Sequence, residues 1–456
     1  MARLLLKTGI WAAALLLLAG CAAGYSSLMR APLKRLERRD YEGALARLEK
    51  PEGKTNKLLY RLERGLIFHY QGQYQTSNQE FEKAEKLIDE LYTRSVSREL
   101  ASLVTNDAII PYTGEEFECS FIHYYRALNY AYLGAPEDAL VECRKANLKL
   151  ADYAQAVDYK LSYKNDAFIQ YMTGIFYEAQ GEWNDAYISY KDAARGYQAY
   201  QQAFGLQLPP TLPADLARMA QRLGFADERA EYLQRYALDP QDLAPVGGGQ
   251  VVVFVEQGFV ARKRQHEIQV PLLDDDDTRE IWNLSDQMCY RYYHPNPFYA
   301  KVEYWLRVAL PVYQALPSQI RGVRLSGAGQ SARGVLVEDL DAIAFKTLGE
   351  KENSILAKTL ARALAKYLIT KKVEKENEAL GALFNWIGFS TEAADTRSWL
   401  SLPSRVELAR FSLPPGTVDL TLELLDGRDQ TIETQVFPGV QVAAGKTLFL
   451  NYRSFR

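Results

Sequence analysis

The spacing of apolar positions changes once along this chain, near residue 240. From about residue 31 to 236 apolar residues recur three and four apart, the spacing of helices that bury one face. The segment Ala214–Tyr236 is an example: Leu216, Met219, Ala220 and Leu223 share a face, after a bend at Leu208-Pro209-Pro210. Beyond residue 250 the pattern shortens. Val251 to Val255 is a continuous apolar run that predicts a buried strand, and Ile268–Val270, Val302–Val308, Ile320–Leu325 and Val335–Val337 predict others. A long helix is expected from about Ser354 to Glu374, with Leu356, Leu360, Leu364, Tyr367 and Leu368 as its apolar stripe. From residue 404 the period is two. Val418, Leu420, Leu422 and Leu424 alternate with Asp419, Thr421 and Glu423, Asp426-Gly427 marks a hairpin turn, Ile432, Thr434 and Val436 continue, and Ala444-Gly445 leads into Leu448, Leu450 and Tyr452.

The helical part repeats itself. In Asp166–Ala193 the residues Gly174, Tyr177, Gly181, Trp183, Ala186, Tyr190 and Ala193 stand at offsets 0, 3, 7, 9, 12, 16 and 19. Gly65, Phe68, Gly72, Tyr74, Ser77, Phe81 and Ala84 hold the same offsets, and Ala127, Tyr130, Gly134, Ala139, Cys143 and Ala146 form a third copy, with Pro136 in place of the aromatic. Asp40 to Leu48 resembles the second helix of a further, degenerate copy. The pattern resembles the tetratricopeptide repeat (TPR), in which a small residue lets two antiparallel helices touch, a glycine turns the chain and an aromatic fills the gap. Successive turn glycines lie 62 and 47 residues apart (Gly72, Gly134, Gly181), against about 34 in tight arrays. Extra helices are therefore expected in Leu91–Tyr112 and Leu148–Asn165. The fold class expected is α+β multidomain: an irregular TPR-like α-solenoid, then an α/β portion ending in a small antiparallel β-sandwich.

The expected domains follow. Residues 1–21 read as a signal segment, with Arg3 and Lys7 ahead of the apolar run Ile10–Leu18. That run ends in Leu18-Ala19-Gly20-Cys21, which resembles a bacterial lipobox and implies acylation of Cys21. Without Asp at position 22, resemblance to Gram-negative lipoproteins implies the outer membrane, most naturally its periplasmic face. A tether is expected at 22–30, the helical repeats at 31–238, and a flexible linker at 239–250 (DPQDLAPVGGGQ). An α/β domain at 251–403 and a β module at 404–456 complete the chain, and the helical and C-terminal halves are expected to fold separately.

Composition narrows the function. The chain has 456 residues and a net charge of −3, without the basic excess of a general nucleic-acid binder. Its 30 tyrosines suit helix packing and binding surfaces alike. The cysteines (21, 119, 143 and 289) and histidines (69, 123, 266 and 294) have no metal-ligand spacing, and Cys143 falls at a buried repeat position. Asp274 to Asp277 reads as a charged helix start rather than a calcium loop. Lys358, Arg362 and Lys366, continued by Lys371 and Lys372, read as a solvated helix face, and the apolar stretch Ala379–Phe389 as a core or interface helix. No phosphate-binding or nucleophile motif is present, and Gly247-Gly248-Gly249 precedes a strand instead of following one. Asp395 and Arg397 are expected to pair where the long helix joins the final sheet, with Trp399 packed beneath.

Asp166–Ala193, Val251–Gly258 and Ala394–Pro403 together resemble a family of TPR-containing Gram-negative lipoproteins. The resemblance implies the layout of anchor, repeats and C-terminal α/β portion, and brings no activity, cofactor or catalytic residue. The function expected is a non-enzymatic scaffold, held to the membrane by acyl chains on Cys21, that offers a concave groove to an envelope protein or peptide. The alternative is a peptidoglycan binder, or activator of a cell-wall enzyme, acting through the C-terminal portion.

Overall fold

Paired antiparallel helices occupy the first half of the chain in a computed structural model that describes residues 24–48, 55–93, 110–156, 160–243, 248–273, 302–376 and 393–456. After α1 (Tyr25–Leu28), the pairs are α2/α3 (Arg30–Leu36, Tyr41–Arg47), α4/α5 (Lys57–Tyr70, Tyr74–Thr93), α6/α7 (Glu116–Tyr132, Pro136–Ala156), α8/α9 (Ala167–Gln180, Trp183–Phe204) and α10/α11 (Thr211–Leu223, Ala226–Arg235). From α3 onward each pair packs on the next, which makes a TPR-like array. Local sequence sets the helix ends. Asp40 accepts from the Gly43 N–H at 2.8 Å, Asp166 accepts from the Ile169 N–H at 2.8 Å, and Glu115 with Glu118 forms a reciprocal cap on α6.

The offsets seen in the sequence have a steric cause. A Cβ on Gly65 would meet the Phe81 ring at 2.6 Å, and one on Gly174 would meet the Tyr190 ring at 2.4 Å. The third copy carries Ala127 at that position, and there the residue at offset 16 shrinks to Cys143. The turn residues Gly72, Gly134 and Gly181 all have φ between 72° and 81°, a conformation that excludes most side chains. Among the described residues between 148 and 165 there is no added helix: α7 runs on to Ala156, and residues 160–165 are irregular. Most of the helix expected in Leu91–Tyr112 lies outside the described residues.

The second half holds β1 (Gly249–Gln257), β2 (Arg262–Leu273), β3 (Val302–Gln314), β4 (Gly322–Gly327), β5 (Gln330–Arg333), β6 (Val335–Asp339), α12 (Leu340–Glu376), β7 (Arg405–Leu413), β8 (Gly416–Leu425), β9 (Thr431–Val442) and β10 (Thr447–Ser454). One sheet has the order β10-β1-β7-β6, with β1 and β10 parallel; a second, antiparallel throughout, has the order β5-β4-β8-β9. Val251, Val253 and Val255 pack between the two sheets with Val323, Leu325, Leu420, Leu422 and Leu424. Val252 and Phe254 point the other way, into the core of the helices. Strand β1 is thus buried on both faces, which is why it reads as unbroken valine and phenylalanine. The layers run helices, sheet, sheet.

This arrangement corrects several boundaries. The sandwich is not confined to residues 404–456: β7 and β10 flank β1, and β8 pairs with β4, so both sheets draw strands from before residue 403. One hydrophobic core extends from Tyr25 through the helices to Phe254, Phe259 and Trp399, so the two halves are not separate bodies. The expected tether is part of that core from Tyr25 onward, with Tyr25 and Met29 both buried. The expected linker is not a free hinge either. Pro240–Leu243 is a 3₁₀ turn with Leu243 buried, and Gly249-Gln250 already belongs to β1. A Cβ on Gly248 would lie 2.0 Å from the Leu413 carbonyl oxygen, and one on Gly249 would lie 2.4 Å from that of Ala443, so these glycines admit a neighbouring backbone.

Helix α12 starts at Leu340, earlier than expected. Its far half packs on the β2–β3 hairpin through Ala363 and Tyr367, against Val270, Leu306, Val308 and Leu310. Leu364 and Leu368, expected in the buried stripe, are 42% and 56% exposed. A two-stranded hairpin covers only one narrow face of the helix, and that face carries Thr359, Arg362, Ala363, Tyr367 and Thr370. The basic ladder is therefore not uniformly solvated, because Arg362 is buried.

Candidate functional site: the inner face of the helical array

The first helices of the pairs, α4, α6, α8 and α10, turn acids and tyrosines toward the second half of the chain. Along α4 and α6 lies an irregular strap, residues 393–404, with a turn from Trp399 to Leu402. Its Trp399 is fully buried, 5.7 Å from Phe81 and 6.2 Å from Tyr125 between ring centroids. The helices also read its backbone. Glu118 accepts from the Trp399 N–H at 2.6 Å, and Glu63 from the Leu400 N–H at 3.1 Å. Arg397 pairs with Asp395 through two bonds, of 2.6 and 2.8 Å, and donates to the carbonyls of Thr55 and Ile110 at 3.1 and 2.9 Å. The expected Asp395–Arg397 pair is real, but it sits against the helical array instead of at the join of α12 and the sheet.

The electrostatics are those of buried acids held by neutral donors: among the described residues no cation forms an ion pair with Glu63 or Glu118. Burial pushes the Glu63 carboxyl up to about 7, although hydrogen bonds from Ser401, Leu400 and Tyr25 act against it. Burial likewise raises Glu118 to about 7, with repulsion from Glu115 adding to the effect and the Trp399 and Tyr112 bonds opposing it.

The sheet is fastened to the same face. Glu256 on β1 accepts from Tyr124 at 3.0 Å, from Tyr125 at 3.1 Å and from Tyr70. Burial raises its pKa, while the nearby Arg453 and these three hydroxyls pull the other way. Arg410 on β7 reaches Glu178 at 2.6 Å and Asp215 at 2.9 Å, and Arg218 completes the cluster with 2.7 and 2.6 Å contacts to the same two acids. Burial disfavours the Glu178 carboxylate, yet Arg410 and Arg218 hold it at about 2. His69 Nδ1 lies 2.6 Å from Asn129 Oδ1, and its Nε2 lies 2.7 Å from the Asn451 amide nitrogen on β10. The imidazole is therefore neutral, with Nδ1 the donor and Nε2 the acceptor; burial drives its pKa down to about 4. Tyr197 donates to the Val337 carbonyl at 2.8 Å, which ties α9 to β6.

The residues singled out from the sequence mainly build the array; of them Phe81 also touches Trp399, and Tyr190 donates to Glu178 at 2.6 Å. Phe81, Ala84, Ala139, Ala186, Tyr190 and Ala193 are fully buried between helices. Tyr74 lies 4.9 Å from Tyr132 between ring centroids, tilted by 40°, Trp183 lies under the Arg222 guanidinium at 4.3 Å, and Tyr177 accepts from Arg144 at 2.9 Å. Cys119 and Cys143 are buried thiols. Cys21, Asp274–Asp277 and Ala379–Phe389 lie outside the described residues. Glu63, Glu118, Glu256 and Arg410 were not legible as site residues; the tyrosine-rich helices were the one sequence signal of a polar seam. Among the described residues no group of three or more His, Cys, Asp or Glu is placed to hold a metal ion, and no helix is long and apolar enough to cross a membrane.

Three solved structures illustrate what the chain is similar to. The apo form of RapI is 13% identical over 46% of this chain and 68% of its own, with a TM-score of 0.33. Aspartyl phosphate phosphatase F from Bacillus subtilis is 16% identical over 49% of this chain and 52% of its own, with a TM-score of 0.33. A kinesin light chain with nearly identical TPR-like repeats from Podosopora anserina is 15% identical over 46% of this chain and 96% of its own, with a TM-score of 0.29. No family model and no curated protein matches the chain.

Proposed function

We propose that this chain is a non-enzymatic scaffold of the bacterial envelope. Acyl chains at Cys21 hold it to the outer membrane on the periplasmic side, and its helical repeats engage protein partners. The observation that carries the reading is the strap. The array holds a non-helical segment of polypeptide with an aromatic slot for Trp399 and with carboxylates that accept the N–H groups of Trp399 and Leu400. Because this inner face already holds the chain's own strap and sheet, partners dock on the outer helices. Leu148 on α7 and Ile188 on α9, 65% and 49% exposed, are the apolar contacts they would use there.

The test is purification of the whole chain from detergent-solubilised envelopes, with identification of what accompanies it. A defined set of envelope proteins is expected with the native chain, and its recovery should fall several-fold with Leu148→Asp combined with Ile188→Asp. Cys21→Ser should leave an uncleaved or soluble form. Mature, acylated protein in the outer-membrane fraction of the Cys21→Ser strain would remove the anchor, and recovery of wall fragments in place of proteins would remove the scaffold.

A further inference from the structure

We infer that the exposed basic face of α2 is a docking surface for the anionic phospholipid leaflet that receives the acyl chains of Cys21, an inference that rests on the anchor reading above. The whole chain has a net charge of −3, yet residues 30–39 hold five cations (Arg30, Lys34, Arg35, Arg38 and Arg39) and one acid, Glu37. Two of the five are already engaged: Arg35 pairs with Asp40 at 2.7 Å, and Arg39 with Glu433 at 2.8 Å. Arg30, Lys34 and Arg38 are exposed and form no ion pair among the described residues. Arg30 and Lys34, four apart, share the side of α2 away from the buried Pro32, Leu33 and Leu36, and Arg38 follows in the turn after the helix. Packing uses only the opposite face of α2, so Arg30 and Lys34 are not needed there, while Arg38 lies near enough to Asp40 to favour its carboxylate.

Position supplies the second argument. Tyr25 is buried in the core, so only Ala22, Ala23 and Gly24 separate Cys21 from the folded body. Four residue steps span at most about 14 Å. An acylated Cys21 therefore brings this end of the molecule against the headgroups, and α2 is the next element along. Exposed Leu28 lies between the two. An acyl anchor joined to a polybasic patch is the combination that holds a protein stably at a membrane and fixes which face it presents. Each cation near an anionic surface raises partitioning about fivefold, so three together amount to about a hundredfold.

The experiment uses the chain from Ala22 to Arg456 without acyl groups, which keeps every described contact, and vesicles of phosphatidylcholine with or without phosphatidylglycerol. Sedimentation is expected with the anionic vesicles alone and should weaken steeply as salt rises. Arg30→Gln, Lys34→Gln and Arg38→Gln combined should lower it about a hundredfold. Glu37→Gln, which adds no bulk, should raise it and serves if the triple variant does not fold. Equal binding to neutral vesicles, no change in these variants, or binding to purified cell-wall sacculi in place of vesicles would overturn the inference. Its failure is distinct from failure of the anchor: Cys21→Ser fractionation reads acylation in cells, whereas the vesicle assay contains no acyl chain.

Discussion

Gly65 and Gly174 show how much one missing side chain decides. Each lies under an aromatic ring sixteen positions later, and the copy that carries Ala127 makes room by having Cys143 there. Gly65→Ala is expected to cost about 1–3 kcal/mol, because its Cβ would press into the face of Phe81 in a closed core. Urea denaturation should show a lower midpoint with an unchanged slope. Phe81→Leu in the same chain should return part of the loss, as coupled contacts do. Additive losses would mean that the two residues do not touch.

The strap is the element whose energetics depend most on protons. Glu63 has a pKa of about 7 in the folded chain, against about 4.5 when unfolded. Below about 4.5 the group is protonated in both states and its contribution is fully present. As pH rises from about 4.5 toward 7 the unfolded chain releases the proton first, so stability falls, and above 7 the contribution is lost. Glu63→Gln should remove this slope, worth on the order of 3 kcal/mol across the window. His69, depressed to about 4, slopes the opposite way because the unfolded imidazole takes up its proton first on acidification. The readout is therefore the difference between native and Glu63→Gln melting profiles. Parallel profiles from pH 4.5 to 7 would show that Glu63 is ionised in the seam.

For the whole molecule, a shared core predicts shared folding. Residues 28–238 expressed alone would expose Tyr70, Tyr124, Phe168 and Phe176, which now pack on Phe254, Phe449 and Glu256. Residues 250–456 alone would expose the other side of that contact, together with Trp399 and the buried Arg410. Neither piece is expected to be soluble and cooperatively folded, and the chain from Ala22 onward should unfold in a single calorimetric transition. Two well-separated transitions, or a helical piece with sharp near-ultraviolet dichroism, would contradict this.

Local order was legible in the sequence, because each signal sits within one turn or one helix pair. The offsets of Gly174, Gly181 and Tyr190 marked a repeat, since a helix pair carries its own steric code. The alternation at Val418–Leu424 marked a strand, and the run Val251–Val255 marked a buried one. What covers each face was not legible, because that is settled by residues hundreds of positions away. Glu256 reads as an ordinary charged residue until Tyr70, Tyr124 and Tyr125 close around it. Gly248 and Gly249, at the start of β1, read as a hinge until the backbones at Leu413 and Ala443 leave no space for a Cβ. Leu364 and Leu368 read as core until the hairpin takes only the neighbouring face of α12. Periodicity states that a face is apolar; only the tertiary structure decides whether anything lies against it, and here it placed the chain's own second half against the repeats.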